Sequence, residues 1–122
     1  MRLKDKVAVI TGGAHGMGEA EARLFAREGA AVVIADVLTG RGEAVAADIN
    51  ACQGRAMSLH CDVTSESDWK ALIARTLETH GRLDILVNNA GISGSAVGDD
   101  LSLEGWNRLM GINATGVFLG TT

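Results

Sequence analysis

The 122-residue sequence predicts an α/β fold, a doubly wound parallel sheet with helices on both faces in a three-layer α/β/α arrangement. Three observations point to it. Short apolar runs recur at VAVIT (7 to 11), AVVIAD (31 to 36), AMSLHCDV (56 to 63) and DILVNNAG (84 to 91), without the polar alternation of a one-sided sheet. Stretches with helical apolar spacing separate these runs. Glycines gather in TGGAHGMG (11 to 18), between the first run and the first helical stretch.

Each element has its own local warrant. The first helix is expected to face the sheet with Met17, Ala20, Leu24 and Phe25, and Gly29 stands where a left-handed residue would end it. Val45, Ile49 and Cys52 mark the second helix; Trp69, Leu72, Ile73, Thr76 and Leu77 mark the third. Ser65 with Asp68 forms a capping-box-like start for that third helix, and Gly81 an end. A fourth helix is expected from near Ser102 through Trp106, Leu109, Met110 and Ile112. Strand and helix alternating in this order require crossover connections and predict the strand order 3-2-1-4. Both tryptophans, Trp69 and Trp106, are read as core.

Composition narrows the function classes. The length allows one domain, and 47% hydrophobic residues suffice for a core. A net charge of −4 with no basic block speaks against nucleic acid or anionic lipid as partner. No apolar run approaches the roughly 20 residues of a membrane span and no signal peptide is visible, so a cytoplasmic protein is expected. Cys52 and Cys61 lack CxxC spacing and read as reduced, structural thiols. His15, His60 and His80 are scattered without HxH or HxxxH spacing, and no metal site is expected.

The glycines carry the chemistry. Gly12, Gly16 and Gly18 form a Gly-x-x-x-Gly-x-Gly run at a strand-to-helix turn. There, glycine permits left-handed backbone angles and close approach of a diphosphate to helix N-terminal amides, although a purely structural tight turn would use the same residues. Asp36 ends the second strand where a dinucleotide fold places an acid for the adenosine ribose hydroxyls; the other reading is a solvated strand-end carboxylate. An acid there, followed by the uncharged Val37, favours NAD over NADP, with Arg41 and His15 as nearby positive or protonatable groups. Asp62 at the end of the third strand could accept from an adenine amino group while the Val63 amide donates to the ring, or Asp62 could be a helix-capping or solvated residue. Asn88 and Asn89 can tie loops to the fourth strand, and Ala90 and Gly91 leave room for a ribose. The small polar stretch 92–100 suits a rim near the nicotinamide end, or a plain loop. Asn113 interrupts an apolar helical stretch.

Over its whole length the chain resembles the short-chain dehydrogenase/reductase family of Rossmann-type oxidoreductases. TGGAHGMG is similar to the family's TGxxxGxG cofactor loop, NNAG (88 to 91) to its strand 4 motif, and Asp62 and Val63 fall where strand 3 meets adenine. Asn113, in INATGVF, falls on the active-site asparagine, which in the family bends a helix and holds a water linked to the catalytic lysine. The resemblance implies cofactor binding by Gly12, His15, Gly16, Met17 and Gly18 in the loop, by Asp36 and Val37, by Asp62 and Val63, and by Asn89, Ala90 and Gly91, with Asn113 catalytic. It further implies an NAD(P)-dependent enzyme acting on a secondary alcohol or ketone, usually a homotetramer, and the wording is nearest to bacterial enzymes for hydroxysteroids or alicyclic alcohols.

The family's acid/base is a tyrosine followed four residues later by lysine, with a serine on the substrate oxygen. This chain has no tyrosine, and those residues would fall beyond the position of Thr122. The expectation is therefore the N-terminal part of a single Rossmann dinucleotide-binding domain (1–122), incomplete after the fourth strand and following helix, and inactive alone. The alternative is a complete but non-catalytic dinucleotide-binding module.

Overall fold

The computed structural model describes residues 2–90, 103–110 and 121; within 103–110, side chains are described only for Leu103, Glu104, Asn107 and Met110. The expected features at Gly91, 92–100, Ile112 and Asn113, and the side chains of Trp106 and Leu109, lie outside the described residues.

Strands β1 (Val7–Thr11), β2 (Ala31–Asp36), β3 (Arg55–His60) and β4 (Ile85–Val87) alternate with helices α1 (Gly16–Arg27), α2 (Thr39–Ala51) and α3 (Glu66–His80), and α4 (Leu103–Met110) follows. The sheet is parallel in the order β3-β2-β1-β4, as the alternation predicts. In register, Val7 to Thr11 face Ala31 to Ala35, and Ala8 to Ile10 face Ile85 to Val87. β1 and β2 are buried at every residue because both faces are covered. Ile10, Val32 and Ile34 join Ala14, Ala22, Val45, Ala46 and Ile49 under α1 and α2. Alternate residues Val9, Val33 and Ala35 join Cys61, Val63, Trp69 and Leu72 under α3. The period of two along each strand thus feeds two cores.

Helix ends follow the sequence closely. Ser65 Oγ accepts from the Asp68 amide at 3.2 Å at the start of α3, and Gly29 and Gly81 take φ of 97° and 75° beyond α1 and α3. The sheet-facing side of α1 is corrected in part: Phe25 packs against the core as expected, but Met17, Ala20 and Leu24 are exposed, whereas Gly18 and Ala22 are buried. The face is shifted by one residue because the loop seats α1 directly on the strand ends, where only small residues fit. Cys52 is likewise exposed rather than buried. β3 and β4 are shorter than their apolar runs, since Asp62 turns the chain after β3 and Asn89 turns it after β4.

Candidate dinucleotide-binding site

The chain leaves β1 for β2 and β3 on one side and returns to β4 on the other, so a crevice opens at the carboxyl ends of β1 and β4. Thr11, the last residue of β1 and 1% exposed, spans it. Its hydroxyl donates to the Val87 carbonyl at 3.2 Å and accepts from the Asn89 and Ala90 amides, both at 3.0 Å, which uses its full hydrogen-bonding capacity. Thr11 was not among the expected site residues, although a hydroxyl at the end of an apolar strand needs partners and was the available signal.

The glycine loop is packed shut at two points and open at a third. A Cβ on Gly18 would lie 2.2 Å from the Gly12 carbonyl oxygen and 2.5 Å from Asn89 Nδ2, and one on Gly12 would lie 2.9 Å from Ala90 Cα. Asn89 Nδ2 donates to the Gly12 carbonyl at 3.3 Å, so the turn after β4 ties the loop to the sheet. Gly16 differs: its φ is +58° and nothing lies within 4 Å of its would-be Cβ. His15 is the N-cap of α1 with extended backbone and no capping hydrogen bond from its side chain. The Glu19 amide donates back to the His15 carbonyl, leaving the Gly16, Met17 and Gly18 amides without partners inside the helix. Open space, a positive helix end and three such amides form an anion cradle, and these residues fit the diphosphate of a dinucleotide.

Asp36 stands beneath this cradle, 7% exposed. Its Oδ2 accepts from the Ala14 amide at 3.1 Å and its Oδ1 from the Leu38 amide at 3.0 Å. The solvated strand-end reading is thereby excluded: the carboxylate braces the loop, and each oxygen retains a lone pair for a ribose hydroxyl. His15 Nδ1 lies 4.0 Å from Asp36 Oδ2 with its side chain 58% exposed, and Val37 and Met17 are exposed beside them.

Asp62 is partly buried and builds a turn. Its Oδ1 accepts from the Thr64 hydroxyl at 2.6 Å and amide at 2.9 Å, bonds that hold its carboxyl below the usual carboxylate range. Asp62 therefore closes a local turn with Thr64, and the cap of α3 is Ser65 instead. Val63 is buried, and its carbonyl accepts from the Trp69 indole at 2.8 Å, which anchors α3. The loop residues Gly12 to Gly18, Asp36 and Val37, and Asn89 and Ala90 thus come together around the crevice, with Asp62 and Val63 at the end of the neighbouring strand. Among the described residues no group of three or more His, Cys, Asp or Glu could hold a metal ion, and no helix is long and apolar enough to cross a membrane.

Comparison with known proteins agrees with this architecture. The short chain dehydrogenase family matches residues 6–122. Cyclopentanol dehydrogenase of Comamonas testosteroni is 45% identical over 120 residues, covering 98% of this chain and 48% of that protein. The 2,5-dichloro-2,5-cyclohexadiene-1,4-diol dehydrogenase LinX of Sphingobium indicum is 44% identical over 119 residues, covering 98% and 48%. A 3-alpha-(or 20-beta)-hydroxysteroid dehydrogenase of Mycobacterium tuberculosis is 43% identical over 119 residues, covering 98% and 45%. The chain spans about half the length of these relatives. With a match over nearly its whole length, and a glycine loop, strand order and crevice of the matching kind, this chain belongs to the short-chain dehydrogenase family.

Proposed function

We propose that this chain holds the adenosine and diphosphate half of a nicotinamide dinucleotide, NAD in preference to NADP, as the N-terminal part of an enzyme that oxidises a cyclic secondary alcohol or reduces the matching ketone. The observation that carries the proposal is the contrast within the loop, closed at Gly12 and Gly18 and open at Gly16 over the first-turn amides of α1. Those amides donate to the diphosphate. The remaining lone pairs of Asp36 accept from the ribose hydroxyls, and its negative charge opposes a 2′-phosphate. Asp62 and Val63 border the adenine; Asn89 and Ala90, with Gly91, border the second ribose, and Asn113 belongs with the reacting end. The nicotinamide, when bound, supplies hydride transfer.

The cyclic-alcohol assignment draws on the ring-bearing substrates in the names of the relatives. Assembly as a homotetramer is part of the same proposal. Fluorescence titration with NADH and NADPH tests the cofactor reading: NADH is expected to bind at least about tenfold more tightly, a difference of roughly 1.4 kcal/mol. Equal affinities would overturn the preference, and no binding of either by the folded protein would overturn the site.

A further inference from the structure

We infer that Arg41 is a positioning residue for the cofactor, acting through the carbonyl of Ala14 rather than by touching the dinucleotide. The inference rests on reading the glycine loop as the diphosphate cradle. Ala14 has no exposed surface, so both polar groups of its backbone need protein partners. Each partner is a charged side chain from outside the loop. The amide donates to Asp36 Oδ2 at 3.1 Å, and the carbonyl accepts from Arg41 Nε at 2.8 Å. The backbone is thus gripped between an anion at the end of β2 and a cation in the first turn of α2, with charge-assisted bonds of the stronger kind at both ends. His15 and Gly16, where the cradle opens, are the next two residues.

The same guanidinium has a second task. Its Nη2 lies 3.5 Å from Glu19 Oε1, whose other oxygen accepts from Arg23 Nε at 3.0 Å. Glu19 is the acidic residue in the first turn of α1, the turn that would hold the anion. Without Arg41, that carboxylate and Asp36 would both oppose a diphosphate with less compensation. Direct reading of a 2′-phosphate is the competing role for an arginine in this place. It is disfavoured because Nε is committed to Ala14 and Nη2 faces Glu19, and the two roles predict different ligand dependence.

Arg41→Met keeps an unbranched stem and removes every donor, at a side chain 58% exposed, so the fold should survive. Hydrogen exchange without ligand should show the Ala14 amide, buried and bonded to Asp36, exchanging about tenfold faster. Calorimetry should show NADH and NADPH weakened by the same factor, about tenfold, while adenosine, which lacks the diphosphate, changes less than about twofold. Arg41→Lys should recover only part of the loss, because an ammonium cannot reproduce the fixed guanidinium fork. Weakening of NADPH alone would assign Arg41 to the 2′-phosphate and overturn the inference. So would unchanged loop exchange, or an equal loss for adenosine accompanied by a lower melting temperature. If the unmutated protein binds no NADH, the cradle reading fails and the inference falls with it; NADH binding that is normal in Arg41→Met overturns the inference alone.

Discussion

Asp36 ends β2 almost fully buried, with the Ala14 and Leu38 amides on its carboxylate, so its removal acts on the fold and, under the proposed function, on cofactor choice as well. Asp36→Ala leaves the Ala14 and Leu38 amides without their acceptor and should cost about 1 to 3 kcal/mol in a urea unfolding series. The NADH-to-NADPH affinity ratio should fall toward one in the same variant. An unchanged ratio would show that the carboxylate serves the loop only. Cys61 offers a prediction in pH. Burial pushes its thiol up from 9.0 to about 12, with Asp68 and Asp62 adding to the shift. The raised value means that the folded state favours the protonated thiol. This contribution is whole below pH 9 and is lost as pH rises from 9 toward 12. The chain has no tyrosine to titrate across the same window. Urea midpoints should fall between pH 8.5 and about 10.5, and Cys61→Ala should flatten that slope. A thiol reagent at neutral pH should label exposed Cys52 and spare Cys61.

Within the glycine loop, residues of one type perform opposite duties, and substitution separates them. Gly18→Ala would drive a methyl group against the backbone carbonyl of Gly12 and the Asn89 side-chain amide, and should destabilise the fold by about 1 to 3 kcal/mol whether or not ligand is present. At Gly16 a side chain meets open space but inherits a positive φ, so Gly16→Val carries a strain of about 1 to 3 kcal/mol and also fills the cradle. NADH affinity should fall well beyond what the lower stability explains. Thermal melts with and without NADH distinguish the two: cofactor should still raise the melting temperature of folded Gly18→Ala and fail to raise that of Gly16→Val. Normal NADH binding by Gly16→Val would show that no phosphate lies there.

At the scale of the molecule, β4 has β1 as its single strand neighbour among the described residues, and the crevice between them is bounded by the loop and by the turn after β4. Among the described residues placed around that crevice, Thr11, Asp36 and Asn89 brace the loop and the turn after β4, and none is a positioned acid/base for an alcohol proton. His15, the nearest titratable ring, stands by Asp36 at the glycine loop, and Asn113 does not titrate. A positioned general acid/base supplies a factor of about 10² to 10⁴. The purified 122-residue chain should therefore show no NAD-dependent oxidation of cyclopentanol or a hydroxysteroid above background, even where NADH binding is measurable. Sustained NADH production by a preparation of matching intact mass would overturn this account.

The elements, their order and the family are legible in the amino-acid sequence. Apolar runs buried on both faces, helical spacing and capping residues such as Ser65 and Gly81 are local signals, and they survive folding because the tertiary structure agrees with them. What a residue touches across the fold was decided only in three dimensions. Spacing alone placed Met17 and Leu24 against the sheet; the close seating of Gly18 on Gly12 and Asn89, residues up to 77 positions apart, rotated α1 so that Gly18 and Ala22 went inside instead. Asp36 was legible as an acid at a strand end, but its buried grip on Ala14 was not, nor were the three hydrogen bonds of Thr11 or the reach of Arg41 to the loop. Each depends on strands and helices distant in sequence arriving at one crevice, and periodicity carries no information about such meetings.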